Sequence, residues 1–450
     1  MKINSLLILT SFLLVIIIGN SAGWDNALLA PIFFAVWFFK FIVEANNGFR
    51  IRNIFIVFLS LQYLLGPYLS YMYDNESIYS MVIPSQEYFS FAFTGVLLIG
   101  IGLFYNSIKS DEDDILKNVK INFIKFDSAL FEKLFFISIF FHFFPFKSNT
   151  SFDFVIYFII SLKYVYVCYI ILSGKKINYL LLAIPVTLLV LQSLNRGMFH
   201  DLLTWMIFWG ISLAIKLKPS FIQKIIAIGV FVFLVVIIQL AKQNFRSASS
   251  VITKENSSFK VFRKTAESEI EEASKFSLIQ NIVRINQGWI TARTMNNIPK
   301  RVDYANFDLI NKYFEAAFMP RILAPDKIRA GDRELLNKYS GIIISFGTSM
   351  GIGIVGDAWA SFGYFGGLVM LFCFGLLLNY SLKYFQYLIK YYPLVYFLLP
   401  IIYIYPIRPD CETQTSMGHL VKTTFLVSFI VFYFMKRVKS KSNKLIINAS

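Results

Sequence analysis

The sequence predicts an all-α integral membrane protein of about twelve transmembrane helices with one large, partly helical extracytoplasmic loop. Three observations carry this. Of 450 residues, 56% are hydrophobic and only 16% are charged, where soluble domains carry about 25% charged residues. The apolar residues gather in runs near the roughly 20 residues that a helix needs to cross a bilayer. The Lys and Arg residues between the runs fall mainly on alternate sides. The 49 Phe and 25 Tyr suit lipid-facing and interfacial positions.

In chain order the apolar stretches lie near 5–19, 28–43, 53–72, 88–106, 129–146, 152–172, 178–195, 198–215, 221–241, 352–380, 393–407 and 417–435. Short loops that stay in the cytoplasm are rich in Lys and Arg. With the amino terminus inside, the inner loops hold Arg50 and Arg52, then Lys109, Lys117, Lys120 and Lys125, then Lys175 and Lys176, then Lys216, Lys218 and Lys224, then Lys383 and Lys390. The outer short connections offer only Lys147, Arg196 and Arg408. An even number of spans returns the basic tail, 436–450, to the cytoplasm. The first 25 residues resemble a signal peptide but read as an uncleaved first span, because further spans follow. The net charge of +16 is thus mostly a topology signal, and no nucleic-acid partner is expected.

The organisation that follows is residues 1–241 as spans one to nine, 242–341 as the large outer loop, 342–435 as spans ten to twelve, and the tail. The loop carries 17 Lys or Arg against 11 Asp or Glu, which a long segment can carry outward because the positive-inside rule counts short loops. A structureless loop of this length would be unusual. It is expected to form helices lying against the membrane, and 268–280 and 308–318 have amphipathic patterns.

Several chemistries are absent from the sequence. It has no GxxxxGK[ST] for ATP, no HExxH and no GxSxG. Its three His and three Cys form no zinc pattern, so neither a metal nor another cofactor is expected. What remains is a set of cations on the outer side. Arg196 lies in Ser193-Leu194-Asn195-Arg196-Gly197, at a turn between spans, and Arg246 follows the ninth span. Arg284, Arg293, Arg321, Arg329 and Arg333 recur through the loop. Guanidinium groups offer a fixed fork of donors that suits phosphate oxygens, and charge held near the bilayer is costly unless it has a use. Pro320 and Pro325 forbid a regular helix between them, which predicts a rigid turn presenting Arg321 and Lys327. Gly347 with Gly351 and Gly363 with Gly367 have the GxxxG spacing that lets helices approach closely. Asp357 is an acid near the outer mouth of an apolar span, a position that points either to function or to pairing with an arginine.

Taken together, the overall plan, the Asn195-Arg196-Gly197 turn, the Pro320-Arg321 stretch and the Gly356-Asp357 segment leading to Phe362-Gly363-Tyr364-Phe365-Gly366 resemble the Wzy-type O-antigen polymerases. The paired Arg and Gly motifs of some members are absent, so their two-loop binding scheme is not carried over. The resemblance implies an inner-membrane glycosyltransferase that needs no metal. Its substrates would be glycans on undecaprenyl pyrophosphate, with Arg196, Arg246 and Asp357 in the chemistry and Arg284, Arg321, Lys327, Arg329 and Arg333 binding substrate. It also implies membrane lipids, a chain-length regulator and a flippase as partners. The related O-antigen ligases are expected to use a loop histidine as base. This loop has none, which leaves Asp332, Glu334 and Asp357 as candidate bases. An O-antigen ligase, or a polysaccharide flippase, is the alternative reading.

Overall fold

The computed structural model describes residues 4–73, 77, 79–107, 128–144, 153–173, 179–196, 199–249, 285–319, 323–344 and 350–435; over 128–129, 195–196, 236–249 and 434–435 it describes the helical backbone alone. Helices occupy most of each apolar stretch, from Ser5–Ser21 through Ile354–Tyr391 to Thr413–Ile430, and the described residues contain no strand. Among the described residues, six helices are long and apolar enough to cross a membrane: Asn26–Asn47, Ile51–Tyr73, Ser85–Phe104, Asp153–Leu172, Ile354–Tyr391 and Thr413–Tyr433. Shorter apolar helices lie at Ser5–Ser21, Tyr179–Leu194, Phe221–Val235 and Pro393–Tyr403. Large apolar side chains such as Phe140, Ile226, Phe365 and Phe425 are exposed on several of these helices, a surface that a bilayer would cover.

Ser85–Phe104 packs extensively against Ile354–Tyr391, with glycines at the contact. A Cβ on Gly375 would stand 2.2 Å from the Ile99 carbonyl oxygen, and one on Gly102 would stand 2.5 Å from that of Phe372. The expected pair Gly363 and Gly367 is used differently. Gly363 takes φ +65° and breaks the Ile354–Tyr391 helix, with the Tyr304 ring against the position where a side chain would be. Gly363 is therefore a hinge in the backbone rather than one half of a helix contact, while Gly347 lies outside the described residues.

Two polar clusters stand out among the described residues. At the end read as inner, Arg52 is buried and donates through Nε to the Leu103 carbonyl (3.0 Å) and through Nη2 to Asn379 Oδ1 (2.9 Å), while Asn379 Nδ2 donates to the Tyr105 carbonyl (2.7 Å). Asp357 lies in the short helical piece before the Gly363 break, and Asn379 in the long piece after it.

The segment expected as the outer loop is stitched into this bundle at two defects in the helices. The Ile51–Tyr73 helix carries a π turn over Leu61–Leu65. The carbonyl of Gln62 accepts the Gln287 N–H (3.1 Å), and that of Tyr63 accepts the Tyr88 hydroxyl (3.0 Å). At the Gly363 break the carbonyls of Ala360 and Ser361 accept the N–H groups of Ala305 and Asn306, both at 2.8 Å. Carbonyls freed inside an apolar bundle must find donors, and here the outer segment supplies three of the four. The Phe221–Ser249 helix, expected as the ninth span, runs eight residues past the expected loop boundary at 241. Beyond it the described part of the segment forms three helices, Gly288–Asn297, Phe307–Phe318 and Arg333–Ser340.

Gly288–Asn297 departs from the expectation of helices lying on the membrane. Trp289, Ile290, Ala292 and Met295 are buried, and a Cβ on Gly288 would meet the Tyr88 hydroxyl at 2.1 Å and the Pro67 ring at 2.4 Å. The helix is a wedge in the bundle, and its small first residue permits it. Phe307–Phe318 matches the amphipathic pattern over 308–318. It buries Leu309, Tyr313, Ala316 and Ala317 and exposes Phe307, Phe314 and Phe318, which at intervals of seven and four residues form one stripe. The other expected amphipathic helix, 268–280, lies outside the described residues.

Candidate functional site

Asp357 is fully buried in the first turn of the Ile354–Tyr391 helix. Its Oδ1 accepts the Tyr313 hydroxyl at 2.7 Å and its Oδ2 accepts the Thr413 N–H at 3.0 Å. One carboxylate therefore joins the outer segment to the starts of two helices. A negative charge in a first turn is also favoured by the helix dipole. Burial, and then the charge of Asp357, push the Tyr313 phenol well above its ordinary range, so the hydroxyl keeps its proton and remains a donor.

Beside this pair lies a small cleft of about 220 Å³ including its open mouth, lined by Tyr313, Asp332, Leu335, Leu336, Met350, Ile352, Asp357, Glu412 and Gln414. Its enclosed part has room for about one water molecule. Asp332 caps the Arg333–Ser340 helix by accepting the N–H groups of Glu334 (3.0 Å) and Leu335 (3.1 Å), as short acids before a helix commonly do. Glu412 Oε1 accepts the Gly331 N–H at 2.8 Å, and Gln414 Nε2 donates to the Ile328 carbonyl at 2.9 Å. The stretch 328–331 is thereby tied to the foot of the last helix. Gly351 lies directly over Glu412, where a Cβ would come within 2.1 Å of Cγ. The glycine-rich run thus covers an acid, a use that its helix-packing spacing did not suggest.

Glu412 is a second buried carboxyl of the cluster. Burial first, and the charge of Asp357 second, raise its carboxyl to about 8, against a weaker pull downward from the Gly331 N–H. Asp332 adds a further push upward. Since the unfolded chain would release this proton near pH 4.5, the stabilisation of the folded state is complete below that pH. It is lost progressively as the pH rises toward 8 and is flat above. The unfolding temperature of the purified protein in detergent is expected to fall across this window, and Glu412→Gln is expected to remove most of the slope. An unchanged slope in that variant would assign the pH dependence to another group.

Arg408 forms a second ionic group nearby. Its Nη2 stands 3.0 Å from Asp410 Oδ2 and its Nη1 3.4 Å from Asp201 Oδ1. Burial alone would raise Asp410, but Arg408 outweighs it and, with His200, holds the carboxyl at about 2. The same turn is fixed by the Tyr63 hydroxyl, which donates to the Pro409 carbonyl at 3.0 Å.

The residues singled out from the sequence divide sharply. Asp357 is at the centre of the cluster. Lys327 donates to the carbonyls of Ala316 (3.2 Å) and Met319 and so closes the carboxyl end of the Phe307–Phe318 helix. Arg329 and Arg333 are exposed, and neither lines the cleft. Glu334 is also exposed, which sets it apart from Asp332 and Asp357 as a candidate base. Arg196 ends the Tyr179–Arg196 helix and Arg246 lies in the Phe221–Ser249 helix, but both side chains lie outside the described residues, as do Arg284 and Arg321 entirely. Sequence reasoning did not single out Tyr313, Glu412 or Gln414. The signal available for the last two was the polar run Asp410-Cys411-Glu412-Thr413-Gln414 at the foot of an apolar stretch.

A family model described as a domain of unknown function, DUF8712, matches residues 6–394. The chain belongs to the DUF8712 family. The match includes Tyr313, Asp332 and Asp357, while Glu412 and Gln414 follow its last matched residue. No curated protein and no solved structure matches this DUF8712 chain.

Proposed function

We propose that the protein polymerises undecaprenyl-pyrophosphate-linked oligosaccharide repeat units of an O-antigen or capsule-like surface polysaccharide. In this reading twelve helices cross the bacterial inner membrane, both termini are cytoplasmic, and the chemistry takes place at the outer face. The observation that carries it is the Phe307–Phe318 helix. One face exposes Phe307, Phe314 and Phe318, and another sets Tyr313 on Asp357. An acid cluster thus stands about one helix diameter, about 10 Å, from an apolar surface suited to lipid. A sugar tethered to a polyprenyl chain needs that juxtaposition, because its reacting end must meet polar groups without leaving the membrane.

The reaction follows from the groups available. The hydroxyl oxygen of the lipid-linked acceptor unit attacks the anomeric carbon of the growing chain. A glycosidic bond forms as the bond to the pyrophosphate oxygen breaks, and the electron pair leaves with undecaprenyl pyrophosphate. The hydroxyl proton passes to ionised Glu412, whose carboxyl near 8 is matched to proton transfer around neutrality. Asp357, with both oxygens engaged, is a positioning residue that holds Tyr313 and the start of the last helix. Arg196 and Arg246, with Arg284 and Arg321 as further cations of the segment, stabilise the charge that develops on the departing pyrophosphate, while Lys327, which closes its helix, and the exposed Arg329 and Arg333 take no part in this step.

The test is the polysaccharide ladder of a deletion strain. Complementation with Arg196→Ala or Arg246→Ala is expected to leave single repeat units on the acceptor and no long chains, with membrane levels of the protein unchanged. Full-length ladders in both variants would remove these arginines from the mechanism. Loss of single units as well would favour a ligase.

A further inference from the structure

We infer that the cleft between Asp332, Glu412 and Gln414 takes one hydroxyl of the acceptor sugar, the neighbour of the attacking one, and that Gln414 recognises it; this rests on the polymerase reading above. Gln414 is only 8% exposed. Its amide nitrogen is spent on the Ile328 carbonyl, while Oε1 is buried with no hydrogen-bond donor among the described residues. A buried acceptor left in that state costs about 1–3 kcal/mol, so the site suits a donor that none of the described residues provides.

The surroundings define that donor. Both oxygens of Asp357 are already engaged, Asp332 is taken up by its own helix, and Glu412 presents a further carboxyl. A lining of carboxyl groups with no Lys or Arg among its described residues disfavours an anionic group such as phosphate. The enclosed space, with room for about one water molecule, excludes a whole sugar ring but admits a single hydroxyl reaching in from a ring at the mouth. A hydroxyl there donates its hydrogen to Gln414 Oε1 and replaces the water that would otherwise occupy the space. The adjacent hydroxyl of the same ring then faces Glu412. Sites built to satisfy a substrate hydroxyl discriminate strongly against groups that lack it, so Gln414 would set which acceptor edge is read.

The experiment uses the full chain reconstituted in liposomes, with the lipid-linked repeat unit purified from the deletion strain as substrate. Gln414→Leu keeps the volume and loses the acceptor. It is expected to raise apparent KM about tenfold, the effect of about one hydrogen bond, with an unfolding temperature no lower than that of Gln414→Glu, since both variants lose the donation to Ile328. Gln414→Glu keeps an acceptor oxygen and loses the donation to Ile328, and is expected to stay within about threefold of wild type. Should the Leu variant not fold, Gln414→Met takes its place. Equal impairment of Leu and Glu variants would mean that Gln414 only holds the 328–331 stretch, and an unimpaired Leu variant would mean that the cleft only holds water. Either result overturns the inference while the polymerase reading stands. Wild-type protein that extends no chain overturns both.

Discussion

Gly375→Leu is expected to prevent the bundle from assembling, with little protein recovered from membranes and a cost of about 3 kcal/mol or more, the upper end of the overpacking range. The reason is that the atoms in the way are backbone. A Cβ on Gly375 would lie 2.2 Å from the Ile99 oxygen and 2.9 Å from its carbonyl carbon, and no rotamer change can move either. Gly102→Leu, which meets the Phe372 oxygen and the Leu376 nitrogen, is expected to behave alike. Gly210→Leu and Gly229→Leu serve as controls, since no atom lies within 4 Å of the position where their Cβ would stand. Recovery from membranes and unfolding temperature in detergent check the set. Equal recovery of all four variants would show that the two helices are not held at this separation.

Asp357→Ala is expected to destabilise the outer end by about 3–5 kcal/mol, because it leaves the Tyr313 hydroxyl and the Thr413 N–H buried without acceptors. Asp357→Asn should cost less, since its amide oxygen can still serve one of the two donors. Tyr313→Phe is expected to cost about 1–2 kcal/mol. The double variant of Asp357 and Tyr313 should then show a coupling of about 1 kcal/mol. Protease sensitivity of the 285–344 stretch in proteoliposomes, alongside unfolding temperature, reports the same docking from a different side. If Asp357→Ala leaves both unchanged, this carboxylate does not hold the outer segment.

How far the sequence reached depends on the range of the forces involved. Apolar runs and alternating loop charge are local patterns, so the helices of the bundle and the amphipathic Phe307–Phe318 element were legible. Burial of Gly288–Asn297 was not, because it depends on the space left by Gly66, Pro67 and Tyr88 in distant parts of the chain. The Gly363 break was visible only as a glycine. Its consequence, two freed carbonyls met by Ala305 and Asn306, is tertiary. Asp357 was legible because an acid beside an apolar run is conspicuous. Glu412 was missed because it lies just before such a run, where an acid reads as a solvated helix start. Its raised proton affinity comes from burial and from Asp357, which stands 55 residues away in the chain.

The central claim is that this membrane protein joins lipid-linked repeat units. Its most direct test places the purified protein alone in liposomes with a single lipid-linked repeat unit and resolves the products by length. The account predicts a ladder of longer glycans with one undecaprenyl pyrophosphate released per joined unit, both lost in Glu412→Gln. Movement of the intact unit across the bilayer without any lengthening would contradict it and identify a transporter instead.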